Sequence, residues 1–188
     1  AHNALPSFNL KLSNEDGTMV ELETFLSTTQ TIVANYKNKL ETFLSRDLHP
    51  TTKDVLIMNA YATYGEQMLR YDHYLYMRNR INTPPDFLSF LNKLPFDKQS
   101  FTVARDYDSM INFVRFIPKI FNVSAPSDFN SVADKKLVES LMQDSVLINT
   151  YNINSRLPIE ILKVRELDYL YNDWFDERED AERYHKGI

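Results

Sequence analysis

The sequence of 188 residues contains no cysteine. This absence excludes disulfide bonds, thiolate catalysis and cysteine-ligated metal sites in this chain. Only three glycines are present, so few tight turns are expected, and because alternating apolar and polar runs are also scarce, helices joined by short connections are indicated. The sequence also lacks a phosphate-binding loop, a nucleophile elbow, a zinc-protease motif and a calcium loop.

Charge and hydropathy narrow the classes of partner. A net charge of −5 and an isoelectric point near 5.4 argue against nucleic acid or an anionic membrane as the main partner. No apolar run approaches the roughly 20 residues of a membrane span. No secretory leader is visible at the start, although a leader removed on maturation remains open. A hydrophobic content of 43% argues against disorder throughout the chain, because it allows a sizeable core.

The first 22 residues have the pattern of a β-hairpin. Residues 8–12 and 18–22 alternate apolar and polar side chains, and Asp16-Gly17 between them favours a turn with positive φ. An isolated hairpin is marginally stable in water. Residues 1–22 are therefore expected to lie on the helices, or to be the edge of a β domain outside this chain, and residues 23–188 to form a helical domain.

Residues 50–81 are the stretch around which the fold is predicted to form. Their apolar side chains recur every three or four positions and form two neighbouring rows on a helix. The polar side chains left over occupy about a third of the circumference and are expected to face solvent. The first row consists of Ile57, Tyr61, Tyr64, Met68, Tyr71 and Leu75. The second row consists of Met58, Ala62, Leu69 and Tyr76. The polar stripe consists of Asn59, Thr63, Glu66, Gln67 and Arg70.

Other helices must cover this central helix on two sides, and the first and last helices are the candidates. Prolines and capping residues divide the chain into about six helices. The fold class predicted is thus mainly α, an irregular bundle of about six helices around a central helix, with an N-terminal β-hairpin. The predicted helices cover residues 23–46, 51–81, 87–94, 106–116, 132–148 and 156–175.

One carboxylate is a candidate for a polar site. Asp168 occupies an apolar row of the last helix, between Val164 and Tyr171. A buried carboxylate must be hydrogen-bonded, paired or neutralised. Arg165, three residues earlier, and tyrosine hydroxyl groups of the central helix are its candidate partners. A structural hydrogen bond is favoured over a functional site.

The aromatic row of the central helix has two interpretations. Tyr61, Tyr64 and Tyr71 could line a groove for a sugar or a peptide, but such a row more often belongs to the core, with its hydroxyl groups at the rim. Asp72 and His73 are adjacent, point about 100° apart on a helix and so do not face each other. His73 is expected at the surface or an interface. The sequence assigns no catalytic residue, cofactor-binding residue or metal ligand.

The order of the segments resembles that of a known family. After the hairpin come LETFLSTTQTIVANYKNKLETFL, VLIMNAYATYGEQMLRY, PPDFLSFLNKLPFDKQSF, DYDSMINFVRFI and LMQDSVLINTYNINSRLPIEILKVREL. Over residues 22–175 this layout resembles the helical region that precedes the thioredoxin domain in TlpA-like thiol–disulfide oxidoreductases of Bacteroidetes-type bacteria. In that family a leader, a β-rich domain, a helical segment and a thioredoxin domain with a C-x-x-C active site follow one another. Without cysteine, no catalytic residue is transferred to this chain.

Two functions are carried forward from the sequence. The resemblance implies a non-catalytic helical spacer or recognition module of a bacterial envelope protein, covalently linked to a thioredoxin-like domain or bound to an envelope partner. A periplasmic location follows from the resemblance alone, and the cytoplasm stays open. The alternative is a free-standing helical binding protein whose tyrosine-rich groove takes a peptide, a glycan or a small ligand. Enzymatic activity of this chain alone would need a clustered acid–base pair, which the spacing does not offer.

Overall fold

The computed structural model describes residues 10–84, 86–127, 132–153 and 156–173, with 182 and 186, and omits the side chains at 118, 121, 132–133, 156–157 and 167–173. These ranges contain seven α-helices and one 3₁₀ helix. The predicted mainly α class is therefore confirmed. In chain order the elements are α1 (Leu22–Leu44), α2 (Pro50–Asn79), the 3₁₀ helix (Phe87–Lys93), α3 (Gln99–Thr102), α4 (Tyr107–Val114), α5 (Pro118–Phe121), α6 (Val132–Tyr151) and α7 (Arg156–Asp173).

The predicted β-hairpin is not supported. Its turn forms, with Gly17 at φ 82° and the Thr18 backbone N–H donating to Asp16 Oδ1 at 2.9 Å. However, a single antiparallel bridge joins Ser13 to Met19, and no described residue belongs to a strand. A two-stranded ribbon this short is marginal, and α1 already begins where the second strand was expected to continue. Residues 8 and 9 of the first predicted strand lie outside the described residues.

The segment before α1 is nevertheless anchored on α2. Val20 is buried, and its carbonyl accepts a hydrogen bond of 2.8 Å from the Tyr71 hydroxyl group. The ring of Tyr71 stacks on Phe25 of α1, with the ring centroids 3.7 Å apart and the planes 8° from parallel. Leu10 and Met19 are buried in the same core. One aromatic pair thus joins the N-terminal segment, α1 and α2.

Helix α2 packs against α3, α4 and the 3₁₀ helix, and most extensively against α4. The packing is tight at Gly65, where an added Cβ would lie 2.5 Å from Met110 Sδ and 3.1 Å from Leu94 Cδ1. Of the two helices expected to flank α2, α1 contacts it through Phe25, whereas α7 packs against α4. The principal neighbour of α2 is therefore α4, a short helix that lies between α1 and α7 in the sequence.

The predicted polar stripe of α2 is wrong in part. Thr63 and Glu66 are buried because α4 covers this side of the helix. Both side chains find partners there: Thr63 donates to Asp106 Oδ2 at 2.5 Å, and Glu66 pairs with Arg70. The polarity of these side chains predicted that they face solvent, whereas the packing of α4 against α2 buries them.

Helix boundaries agree with the sequence where proline or a change of pattern marks them. Two short helices were not expected: α3 lies in a predicted loop, and α5 begins at Pro118, where a helix was expected to end. Proline is well suited to the first turn of a helix, since its missing N–H would have no partner there. The segment predicted as a short helix from residue 87 to 94 is 3₁₀, not α.

Replacing Gly65 by alanine tests the close approach of α2 and α4. Overpacking costs about 1–3 kcal/mol, while alanine gains about 1 kcal/mol in a helix interior. We expect the free energy of unfolding, measured by urea denaturation, to fall by roughly 1 kcal/mol. In a Met110→Ala background, where the clashing sulfur is absent, Gly65→Ala should be neutral or stabilising. Equal losses in both backgrounds would contradict this account of the contact.

Candidate functional site

A cavity of about 340 Å³ lies near the C-terminal end of α2, beside the segment that follows this helix. Helix α2 ends at Arg80, which adopts the left-handed conformation with φ 56° and donates its N–H to Tyr76 O at 2.9 Å. The following residues carry the chain back toward the 3₁₀ helix. The cavity is lined by residues of α2, this return segment, the 3₁₀ helix, α5 and the end of α6, with two residues that flank α5: Asp72, Asn82, Thr83, Pro84, Leu88, Ile117, Lys119, Asn122 and Tyr151.

Asp72 is the buried charged residue of this cavity. It is 2% exposed, and its Oδ1 accepts a hydrogen bond of 2.5 Å from the Thr83 hydroxyl group. Its Oδ2 is buried and accepts no hydrogen bond from the described residues. Burial raises the pKa of Asp72, and the hydrogen bond from Thr83 offsets part of this rise. The carboxyl group is therefore only half satisfied by the protein.

Tyr151 brings a second polar group to the cavity. It is the last residue of α6, and the helix is closed behind it by Asn152, which has φ 53° and donates its N–H to Ile148 O at 3.1 Å. Burial, together with the negative charge of Asp72, raises the pKa of Tyr151 to about 12. At neutral pH its phenol is protonated and able to donate a hydrogen bond.

The remaining lining divides into an apolar wall and a polar rim. Leu88 and Ile117 are buried and supply the wall. Asn82 and Lys119 are exposed and supply the rim. A buried carboxylate, an apolar wall and a lysine at the opening thus surround one space, which is the composition typical of sites for small polar ligands.

A larger cavity of about 510 Å³ lies among α5, α6 and α7. Four of the charged groups that line it form two ion pairs within the protein. Glu139 accepts a hydrogen bond of 2.8 Å from Lys136 Nζ, and Lys163 Nζ lies 2.6 Å from Asp144 Oδ2. Because each of these charges is already compensated by its partner, this cavity is a weaker candidate for a ligand site than the cavity at Asp72.

Arg165 lies on α7 and contacts α4. Its Nη1 donates to Asn112 Oδ1 at 2.6 Å and to Asp108 O at 3.2 Å, and its Nη2 pairs with the Asp108 carboxylate. These contacts tie α7 to α4. Asp168, its predicted partner, lies within α7, but its side chain is outside the described part of the structure, so that pairing stays a prediction.

The three tyrosines proposed for a groove differ in their surroundings. Tyr71 is fully buried, which confirms the core interpretation for this residue. Tyr64 packs edge-on against Phe90 with 5.4 Å between ring centroids, and Tyr61 is 40% exposed. None of the three lines either of the two cavities described above.

The residues that do converge were missed by sequence reasoning, although one signal was present. The second apolar row of α2 continues through Gly65 and Asp72, at the same spacing of three and four residues. Asp72 therefore interrupts an apolar row in the same way as Asp168. His73 beside it packs among Tyr74, Phe113 and Phe116, and burial lowers its pKa. Thr83 and Tyr151 carried no comparable sequence signal.

No family model, no curated protein and no solved structure matches this chain. In the described ranges, no helix is long and apolar enough to cross a membrane. Among the same residues, no group of three or more histidine and acidic side chains could hold a metal ion.

The raised pKa of Asp72 predicts how stability depends on pH. Its native state holds the proton more tightly than the unfolded chain does, so the free energy of unfolding should fall as pH rises from the ordinary value of 3.8 through the native pKa. The slope is at most about 1.4 kcal/mol per pH unit. Above the native pKa the contribution of Asp72 is constant. Tyr151 does not titrate in this window, since its pKa is about 12.

Urea denaturation of the wild type and of Asp72→Asn across this pH range measures the effect as a difference. The difference in the free energy of unfolding between wild type and Asp72→Asn should change between pH 3.8 and the native pKa of Asp72, and should be constant above that pKa. Thr83→Val removes the hydrogen bond that lowers the pKa of Asp72. In that variant the free energy of unfolding should therefore keep falling to a higher pH than in the wild type. A difference independent of pH, or an unchanged window in Thr83→Val, would contradict the assignment.

Proposed function

We propose that this chain is a non-catalytic helical recognition module and that its ligand occupies the cavity at Asp72. The observation that carries the proposal is the buried carboxylate oxygen Oδ2, which accepts no hydrogen bond from the described residues. Leaving a buried acceptor unsatisfied costs about 1–3 kcal/mol. A ligand that donates to Oδ2 removes this cost. At about 340 Å³, the cavity has the size of a site for a small molecule.

The ligand group that meets Asp72 is a cationic nitrogen. A buried carboxyl group is compensated either by protonation or by a cation. A metal ion needs several oxygen ligands, whereas Asp72 is the only acidic residue among the described residues that line the cavity. An organic ammonium group needs fewer partners, since it donates three hydrogen bonds and carries the opposite charge.

Titration calorimetry with n-butylamine, at a pH where Asp72 is ionised, tests this site. We expect the wild type to bind the amine and Asp72→Asn to bind it about 10- to 100-fold more weakly, because a charge-assisted hydrogen bond contributes about 1.5–3 kcal/mol. Asp97→Asn, at an exposed position that does not line the cavity, is the matched control and should bind like the wild type. Circular dichroism checks that the variants are folded. Equal binding to Asp72→Asn, or no binding to the wild type, would refute the proposal.

The sequence resemblance supports a further part of the proposal, namely that this module belongs to a longer bacterial envelope protein. In that protein the module lies beside a thioredoxin-like domain and acts as a spacer that also recognises a ligand. A free-standing binding protein is the second candidate, and it would use the same cavity instead of a tyrosine groove. The cavity does not distinguish the two.

The parent gene separates these candidates. If the module belongs to an oxidoreductase-like protein, the reading frame should continue past residue 188 into a domain with a C-x-x-C pair, and the protein should fractionate with the cell envelope. A stop codon soon after residue 188 with no such domain would contradict this half of the proposal and favour the free-standing protein.

A further inference from the structure

The cavity at Asp72 carries two opposite charges at different depths. Asp72 is almost completely buried, whereas Lys119 is exposed on α5 at the opening. Among the described residues, the lining contains no other aspartate, glutamate, lysine, arginine or histidine. A simple monovalent amine would satisfy the inner carboxylate but would leave the lysine without an anionic group to bind.

The lining also has an apolar part. Leu88 and Ile117 are buried where they line the cavity, so a ligand that fills the cavity contacts hydrophobic surface as well as the two charges. Burial of a side chain of leucine size against such a wall is favourable, because apolar area is removed from water. Asn82 and Tyr151 add polar groups able to donate to an anionic oxygen.

We infer that the ligand is a zwitterion of the α-amino acid class with an apolar side chain. Its ammonium group meets Asp72 Oδ2, its carboxylate meets Lys119, and its side chain lies against Leu88 and Ile117. This inference rests on the proposed function, because it requires that the cavity at Asp72 binds an ammonium group, and it adds the anionic and apolar parts of the ligand.

Titration calorimetry with four related compounds separates these parts. L-Leucine carries both charges, leucinamide lacks the carboxylate, and N-acetylleucine lacks the ammonium group. Leucylglycine places the carboxylate one residue further from the ammonium group and so represents a peptide N-terminus. We expect leucine to bind about tenfold more tightly than leucinamide and leucylglycine, and N-acetylleucine not to bind measurably.

Variants assign each charge to its residue. Lys119→Met should weaken leucine binding to the level of leucinamide and leave leucinamide binding unchanged. Lys93→Met, at an exposed lysine that does not line the cavity, is the matched control and should change neither. Asp72→Asn should weaken binding of both compounds about equally.

Failure of this inference differs from failure of the proposed function. If leucinamide binds as tightly as leucine, and Lys119→Met changes neither, the zwitterion is refuted while the ammonium site stands. If leucylglycine binds more tightly than leucine, the ligand is a peptide N-terminus and the free amino acid is refuted. If N-acetylleucine binds as well as leucine, or Asp72→Asn binds leucine like the wild type, both the inference and the proposed function are refuted.

Discussion

The structure depends on the burial of α2 on several sides at once. Any polar group on such a helix must find a partner within the protein, because water cannot reach it. Thr63 meets the Asp106 carboxylate, Glu66 meets Arg70 and Ser109, and Tyr71 meets a backbone carbonyl before α1. These bonds tie α2 to α4 and to the N-terminal segment. Two groups of α2 are exceptions among the described residues: Arg70 Nε is buried without a hydrogen-bond partner, and only one of the two Asp72 oxygens is satisfied.

Of these two residues, Asp72 is the one that lines a cavity described above. Its Oδ2 atom is itself almost inaccessible to solvent, so a ligand that meets Oδ2 must displace part of the lining. Four charged groups of the larger cavity follow the opposite pattern, because Lys136 pairs with Glu139 and Lys163 pairs with Asp144. The contrast is the physical reason for locating recognition at Asp72. It also separates the candidate site at Asp72 from the stacked pair of Tyr71 and Phe25, which joins α1 to α2.

Several features of the fold were predictable from local sequence. Apolar spacing placed the long helices, since a stripe at intervals of three and four residues can be buried only by a helix. Proline at position 50 was expected to end the first helix, with Thr51 or Thr52 as the cap of the next, whereas α2 begins at Pro50 itself and is capped by His49. The hairpin failed because alternation over five residues is also compatible with an irregular apolar segment that docks on a helix. The short helices α3 and α5 are stabilised by their neighbours, since four residues have too little intrinsic stability to form a helix alone.

The sequence by itself determined the mainly helical class, the position of α2 as a helix with two apolar rows, and the exclusion of cysteine chemistry. These follow from periodicity and composition, which are properties of residues close together in the chain. Only the tertiary structure decided that α4 covers the polar stripe, that Thr83 donates to Asp72 and that Tyr151 lines the same cavity. Thr83 and Tyr151 lie 11 and 79 positions after Asp72 in the chain, and local patterns carry no information about such distances. The stretch that organises the fold thus also supplies the buried carboxylate of the candidate site.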